Sequence, residues 1–311
     1  MTAARPRRIV LVFVDGVGLA PASPENPLAT ARTPTFESLL GGPLTLEQVG
    51  WRGETVLAAL DACLGVEGLP QSATGQTTLF TGRNGAAALG RHVTAFPGPR
   101  LQALLAESSL FLQARRCGLD ATFANAFSER YHELVASRRL RTSASVWAVR
   151  AAELALRGTR ELAQGEAVSW DVVRDRFAWR EDESIAPVAP EDAGRHLAGL
   201  AARHHLTVFE TFLTDLAGHG RGEVGAEEAI ERVDGLLRGL LATVPPEVTL
   251  LLTSDHGNVE ERGHRRHTRN TVPLLAHGRL AGRFADCTSL LDVTPRILAS
   301  LTGSGERAAS E

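Results

Sequence analysis

Five apolar runs punctuate the chain: Arg8–Val14, Leu119–Ala124, Leu206–Leu213, Val248–Thr253 and Val272–Ala276. They are nearly continuous rather than alternating, as expected of strands covered on both faces in a parallel sheet. Amphipathic stretches lie between them. Thr33 supplies an N-cap and Pro34 a first helical residue for a helix through Leu40. Further helices are predicted over Leu101–Arg116, Pro190–Arg203, Val224–Val244, where Pro245-Pro246 ends the pattern, and Leu290–Leu301. Strands alternating with helices predict an α/β fold, a mostly parallel sheet with helices on both faces. From about Asn125 to Ala189 the texture changes. This stretch is more charged, carries Trp147, Trp170 and Trp179, and shows no strand alternation. It predicts a small, mainly helical cap insertion, leaving residues 1–124 and 190–311 as the core.

The polar residues that end the apolar runs carry the chemistry. In open α/β sheets ligands gather beyond the carboxyl ends of the strands. Asp15-Gly16-Val17-Gly18 follows the first run, Asp215 and His219 follow Leu206–Leu213, and Asp255-His256-Gly257-Asn258 follows Val248–Thr253. His264 and His267 come soon after. A lone Asp-His-Gly is ordinary turn chemistry, and Asp15 alone reads as a loop or capping residue. Two carboxylate–imidazole pairs at two strand ends point instead to divalent metal. Asp215 and His219, four apart, share one face of a helical turn.

Ser72 and Thr74 precede a short helical stretch in Gly68–Arg83, so one of them is expected at a helix N-terminus. There the free N–H groups and the helix dipole favour an anion or an alkoxide. A plain N-cap accounts for the same pattern, and free serine is a poor nucleophile unless a metal lies beside it. Together Asp15, Ser72, Asp215, His219, Asp255, His256 and His267 suffice for two cations, which at about 4 Å apart form the usual clamp for phosphoryl transfer.

Composition narrows the alternatives. With 43% hydrophobic residues among 311, the chain can bury one large core and a small insertion. A net charge of −3 gives no basic footprint for nucleic acid. Cys63, Cys117 and Cys287 form no CxxC, which fits reduced thiols in a cytoplasmic protein. Arg5-Pro6-Arg7-Arg8 imitates a signal peptide, but the apolar run after it is too short and ends in Asp15. No stretch is long enough to span a membrane. There is no lysine, which excludes Schiff-base and P-loop chemistry and leaves arginine to hold a phosphate. Arg130, Arg138, Arg139 and Arg141 lie in the insertion, where one or two are expected to be functional and the rest solvated.

The motifs carry a family resemblance. Val14-Asp15-Gly16, Ser72-Ala73-Thr74-Gly75, Asp215-x-x-x-His219, Asp255-His256-Gly257-Asn258 and His267-Thr268-x-Asn270-x-Val272-Pro273 occur in order. The chain thereby resembles the alkaline phosphatase superfamily, in particular its cofactor-independent phosphoglycerate mutase and phosphopentomutase branch. The resemblance covers roughly residues 8–124 and 190–302. It implies an alkaline phosphatase-like fold, one metal on Asp15, Ser72, Asp255 and His256, and a second on Asp215, His219 and His267. Manganese is implied ahead of zinc. Ser72 is implied as the phosphorylated nucleophile, with Thr74 as its competitor, and His267 is preferred over His264 by the Thr-x-Asn-x-Val-Pro that follows it.

Two features depart from that branch. Gln76 stands where the phosphoglycerate mutases have histidine, and about 65 residues replace their large second domain. A mutase must enclose its intermediate while it reorients. The expectation is therefore a phosphomonoester hydrolase acting through phosphoserine on a small phosphorylated substrate, without nucleic acid or membrane. A phosphomutase is the alternative, followed by a phosphodiesterase or a non-catalytic metal-binding protein. Nothing in the sequence sets the oligomeric state.

Overall fold

The structure is a computed structural model that describes residues 6–180 and 184–304, with the side chains of residues 178–180 left aside. Trp179 and the polar tail from residue 305 thus fall outside the described parts. One seven-stranded sheet organises the chain: β1 (Arg8–Val14), β2 (Gly50–Arg52), β3 (Thr55–Leu60), β4 (Ala121–Phe123), β5 (Leu206–Thr211), β6 (Val248–Thr253) and β7 (Val272–His277). Their order is β2-β3-β7-β6-β1-β5-β4. β4, β5, β1 and β6 run parallel, with Leu11 of β1 opposite both Val208 and Leu251. On the other side, β7, β3 and β2 are added antiparallel in turn.

Side chains alternate across a strand, and β1 shows the consequence. Ile9, Leu11 and Phe13 enter one core with Phe80 and Phe111, while Val10, Val12 and Val14 enter the other with Leu197 and Leu236. Both faces are covered, hence the unbroken apolar runs. Register matters more for function. Val14 pairs with Thr211 and Phe13 with Thr253, so the segments after β1, β5 and β6 leave the sheet along one edge.

Two local readings are corrected. The β2–β3 hairpin was not anticipated from the sequence. β2 is a three-residue, fully exposed edge strand, and β3 (TVLAAL) carries two alanines, so neither has a strong strand signature. The stretch Leu101–Arg116 is two helices, Pro99–Ser108 and Leu110–Arg116. Ser109 breaks them with an extended backbone (ψ 149°) and caps the second, accepting from Leu112 N–H. Its hydroxyl donates to the Ala148 carbonyl at 2.8 Å, a tertiary bond no local propensity encodes.

Residues 125–189 are mainly helical, with helices at Glu129–Ala136, Ala144–Ala151, Thr159–Ala163 and Asp175–Arg180. Ala144, Val146, Ala148 and Val149 join the main core. Ala126, Leu162, Ala167, Phe177 and Ile185 form a small cluster of their own. Among the described residues no helix is long and apolar enough to cross a membrane.

Candidate metal centre

All seven residues singled out in the sequence meet along the strand edge defined above. Asp15 follows β1 directly, held where the Gly16 backbone turns at φ +75°. A Cβ at Gly16 would lie 2.8 Å from the Asp215 backbone and carboxylate, so only glycine permits this approach. Asp215 lies in the first turn of the Leu213–Gly218 helix and His219 caps its end. That helical spacing brings Asp215 Oδ1 to 3.4 Å from His219 Nε2. Asp255 and His256 follow β6, and His267 returns from the connecting loop just before β7.

Ser72 is the first residue of the Ser72–Thr81 helix. Gly75, one turn in, would place a Cβ 2.7 Å from the Asp255 carbonyl oxygen. The glycine lets the helix N-terminus press against the strand end and delivers Ser72 Oγ to 3.0 Å from His256 Nε2. Thr74 is turned away: its hydroxyl donates to the Gln71 carbonyl at 3.0 Å. His264 also lies apart, on the exposed loop, paired with Glu261 at 2.9 Å.

The side chains fall into two overlapping groups. Asp15, Asp255 and His256 can converge on one point, with Asp15 Oδ1 at 3.2 Å and Asp255 Oδ2 at 3.6 Å from His256 Nε2. Asp215, His256 and His267 form the second, and His219 belongs beside it. His219 Nε2 is 3.1 Å from His267 Nε2, which is 3.7 Å from Asp215 Oδ1. The His256 and His267 rings stack at 3.6 Å and link the groups.

Several observations fit these groups to cations. Both carboxylate oxygens of Asp255 are buried without a hydrogen-bond partner, an arrangement that ordinarily carries a heavy desolvation penalty. His267 Nδ1 lies 2.8 Å from the Pro70 carbonyl and His219 Nδ1 2.9 Å from the Arg265 carbonyl. A carbonyl only accepts, so each Nδ1 carries the proton and each Nε2 presents a lone pair. Two lone pairs facing each other at 3.1 Å repel unless a cation lies between them. The donors are carboxylate, imidazole and hydroxyl with no thiolate, a set suited to zinc or manganese.

The electrostatics point the same way. Burial, then the neighbouring Asp15, pushes Asp255 well above the usual carboxylate range. Burial and Asp15 likewise raise Asp215. Burial works against a charged His256, but the Asp255 and Asp15 carboxylates prevail and lift it to about 10. His267 is lowered to about 4, by burial and then by His256. Crowded carboxylates draw in positive charge, as a proton where no metal is bound.

Supporting residues escaped the sequence reading. Gln76 donates to Asp15 Oδ2 at 3.0 Å and Asn258 to Asp215 Oδ1 at 2.7 Å, orienting two carboxylates. Buried Glu260 ties three loops together, accepting from Gly18 N–H, Asn258 N–H, Thr268 Oγ1 and Asn270 Nδ2. Gln76 stood out only as a departure from the family pattern, and Glu260 gave no signal beyond its place in the motif. Glu210, near the end of β5, is raised to about 7, chiefly by burial; Ser145 donates to it and Asp15 lies near.

The centre opens into a cavity of about 590 Å³ lined by Ser72, Asp15, Asp215, His219 and His267, with Arg221 as its only guanidinium. Phe212 forms part of its wall and is stacked by Trp170 of the insertion, with ring centroids 4.2 Å apart.

Residues 195–304 match the family described as Metalloenzyme superfamily. Two curated relatives are similar over parts of the chain. A phosphopentomutase of Chromohalobacter salexigens is 44% identical over 73 residues, 24% of this chain and 17% of the relative. A 2,3-bisphosphoglycerate-independent phosphoglycerate mutase of Cellvibrio japonicus is 38% identical over 93 residues, 27% of this chain and 18% of the relative. The matches therefore span about a fifth of those relatives' length. In fold, the chain is similar to the alkaline phosphatase of the Antarctic bacterium TAB5, with TM-score 0.55 and 14% identity over 95% of this chain and 98% of that one. These findings define an alkaline phosphatase-like metalloenzyme. More narrowly, its C-terminal third is related in sequence to phosphopentomutase and cofactor-independent phosphoglycerate mutase.

Proposed function

We propose that the protein is a two-metal phosphomonoester hydrolase acting through a phosphoserine on Ser72. The supporting observation is the position of Ser72 Oγ, at a helix N-terminus, 3.0 Å from His256 Nε2 and open to the cavity. Asp15, Ser72, Asp255 and His256 would hold one divalent ion and Asp215, His219 and His267 the other, manganese ahead of zinc. Bound ions supply Lewis acidity that polarises the phosphoryl group and favours ionised oxygen nucleophiles.

The chain's own residues supply position and charge. Ser72 Oγ attacks phosphorus, the bond to the substrate alcohol breaks, and the alcohol departs with a proton. Water then attacks the phosphoserine, releasing inorganic phosphate and restoring the hydroxyl. The dipole of the Ser72–Thr81 helix favours the serine alkoxide and the phosphoryl oxygens. Arg221 is placed to neutralise the phosphoryl group within the cavity. Gln76 and Asn258 keep Asp15 and Asp215 aimed inward, and residues 125–189 act as the cap.

The sequence relationship to two mutases supports a second reading, in which the phosphoserine returns its phosphoryl group to another hydroxyl of the same substrate. The experiment is phosphate release from a panel of phosphomonoesters by metal-loaded protein, alongside Ser72→Ala. Release that falls by roughly 10³-fold or more in Ser72→Ala is expected for a lost nucleophile. Full activity in that variant would refute the covalent route. Isomerised ester without free phosphate would favour the mutase.

A further inference from the structure

A second cavity, of about 750 Å³, lies next to the metal centre. Its wall carries three guanidinium groups, Arg138, Arg141 and Arg150, together with Trp147 and Gln102, and no carboxylate. None of the three arginines forms an ion pair among the described residues. That is unusual in an acidic chain whose other arginines so often pair, as Arg83 with Glu107, Arg195 with Asp192 and Arg296 with Asp286. Arg138 occupies φ +58°, a conformation glycine adopts at no steric cost, yet a long cation stands there.

The two cavities are continuous. Phe96 lines both; Thr142 faces the arginine cavity, and its chain neighbour Ser143 faces the metal cavity. The arginines are carried by the loop after the Glu129–Ala136 helix and by the end of the Ala144–Ala151 helix, which is anchored in the main core. Their position relative to Ser72 is therefore set by packing.

Resting on the phosphomonoesterase reading, we propose that the alcohol portion of the substrate carries a second oxyanion, phosphate or carboxylate, held by Arg138, Arg141 and Arg150. The transferable phosphoryl group takes the metal cavity with Arg221, and the second anion takes the arginine cavity. Guanidinium groups suit both anions, since their planar forks match two oxygens at once. Three unpaired cations also draw dianionic substrates toward a centre otherwise lined by aspartates.

The test uses α,ω-alkanediol bisphosphates and ω-carboxyalkyl phosphates of graded length, each compared with the matched monophosphate that ends in a free hydroxyl. At the length that spans both cavities, the doubly anionic ester should show kcat/KM at least about tenfold above its match, the value of one good charged contact. In Arg141→Ala/Arg150→Ala the ratio should fall toward one. The series that gains more, bisphosphate or carboxylate, identifies the second anion. No preference at any length, or a preference that survives in the double variant, would overturn the proposal.

Calorimetry of the same bisphosphates with Ser72→Ala protein reads the arginine cavity independently of turnover. Binding weakened about tenfold or more by the two arginine substitutions is expected, and equal affinity would overturn the proposal. If wild type hydrolyses neither ester while this binding difference holds, the hydrolase reading fails and the anion site stands. Circular dichroism of the double variant, with Arg141→Lys/Arg150→Lys as a partial rescue, separates lost charge from lost folding.

Discussion

Asp255→Asn should reverse the order of stability between the metal-free and metal-loaded protein. The Asp255 side chain is completely buried, neither oxygen has a hydrogen-bond partner, and Asp15 lies close by. Without metal this carboxylate is a liability, and an unsatisfied buried polar group costs about 1–3 kcal/mol. Asparagine keeps the shape and removes the charge. At about 2.1 cal/mol/K per residue, the unfolding entropy of 311 residues is about 0.65 kcal/mol/K. Metal-free Asp255→Asn should therefore melt about 2–5 °C above metal-free wild type.

Metal reverses the comparison. An ion at a thousandfold excess over its Kd adds about 4 kcal/mol to the native state, or about 6 °C on the same entropy. Wild type should show that rise. The variant, missing a carboxylate donor, should show less than about a third of it, because its Kd is raised. The assay is calorimetric melting after EDTA treatment and dialysis, then with manganese or zinc restored, with metal content by elemental analysis. A variant that is less stable than wild type without metal, or that keeps the whole metal-induced rise, would refute the reasoning.

The buried Glu210 gives a pH dependence of opposite sign to the usual carboxylate. Its folded pKa is raised to about 7 from 4.5, so the native state binds the extra proton and stability falls as pH rises between those values. At about 1.36 kcal/mol per pKa unit the loss approaches about 3 kcal/mol. Glu210→Gln should match wild type near the lower pKa and exceed it above the upper one in denaturant melts of metal-free protein; parallel profiles would contradict this. Gly75→Ala, ordinarily favourable inside a helix, should instead destabilise by about 1–3 kcal/mol through its clash with the Asp255 carbonyl. It should also weaken metal binding, and a stabilised variant with unchanged metal affinity would show that the helix does not need that approach.

The sequence alone determined the strands that carry the centre and the donors at their ends. β1, β5 and β6 are covered on both faces, so their residues had to be apolar throughout, and the first polar residues after them stood out as Asp15, Asp215 and Asp255. The Asp215–His219 pair was legible because four residues make about one helical turn, a local relation. What tertiary structure alone decided depends on segments distant in the chain. Ser72 faces His256 because Gly75 lets a helix 180 residues away in sequence lie against the strand end. His267 enters and His264 stays out because the connecting loop folds back onto Pro70. Ser109 splits a continuous helical pattern to bond Ala148, and β3 becomes a strand by pairing with β7. Glu260 gathers three loops, and three arginines share a cavity with no carboxylate in its wall. Periodicity reports which face of an element is buried; it carries no record of which distant element buries it.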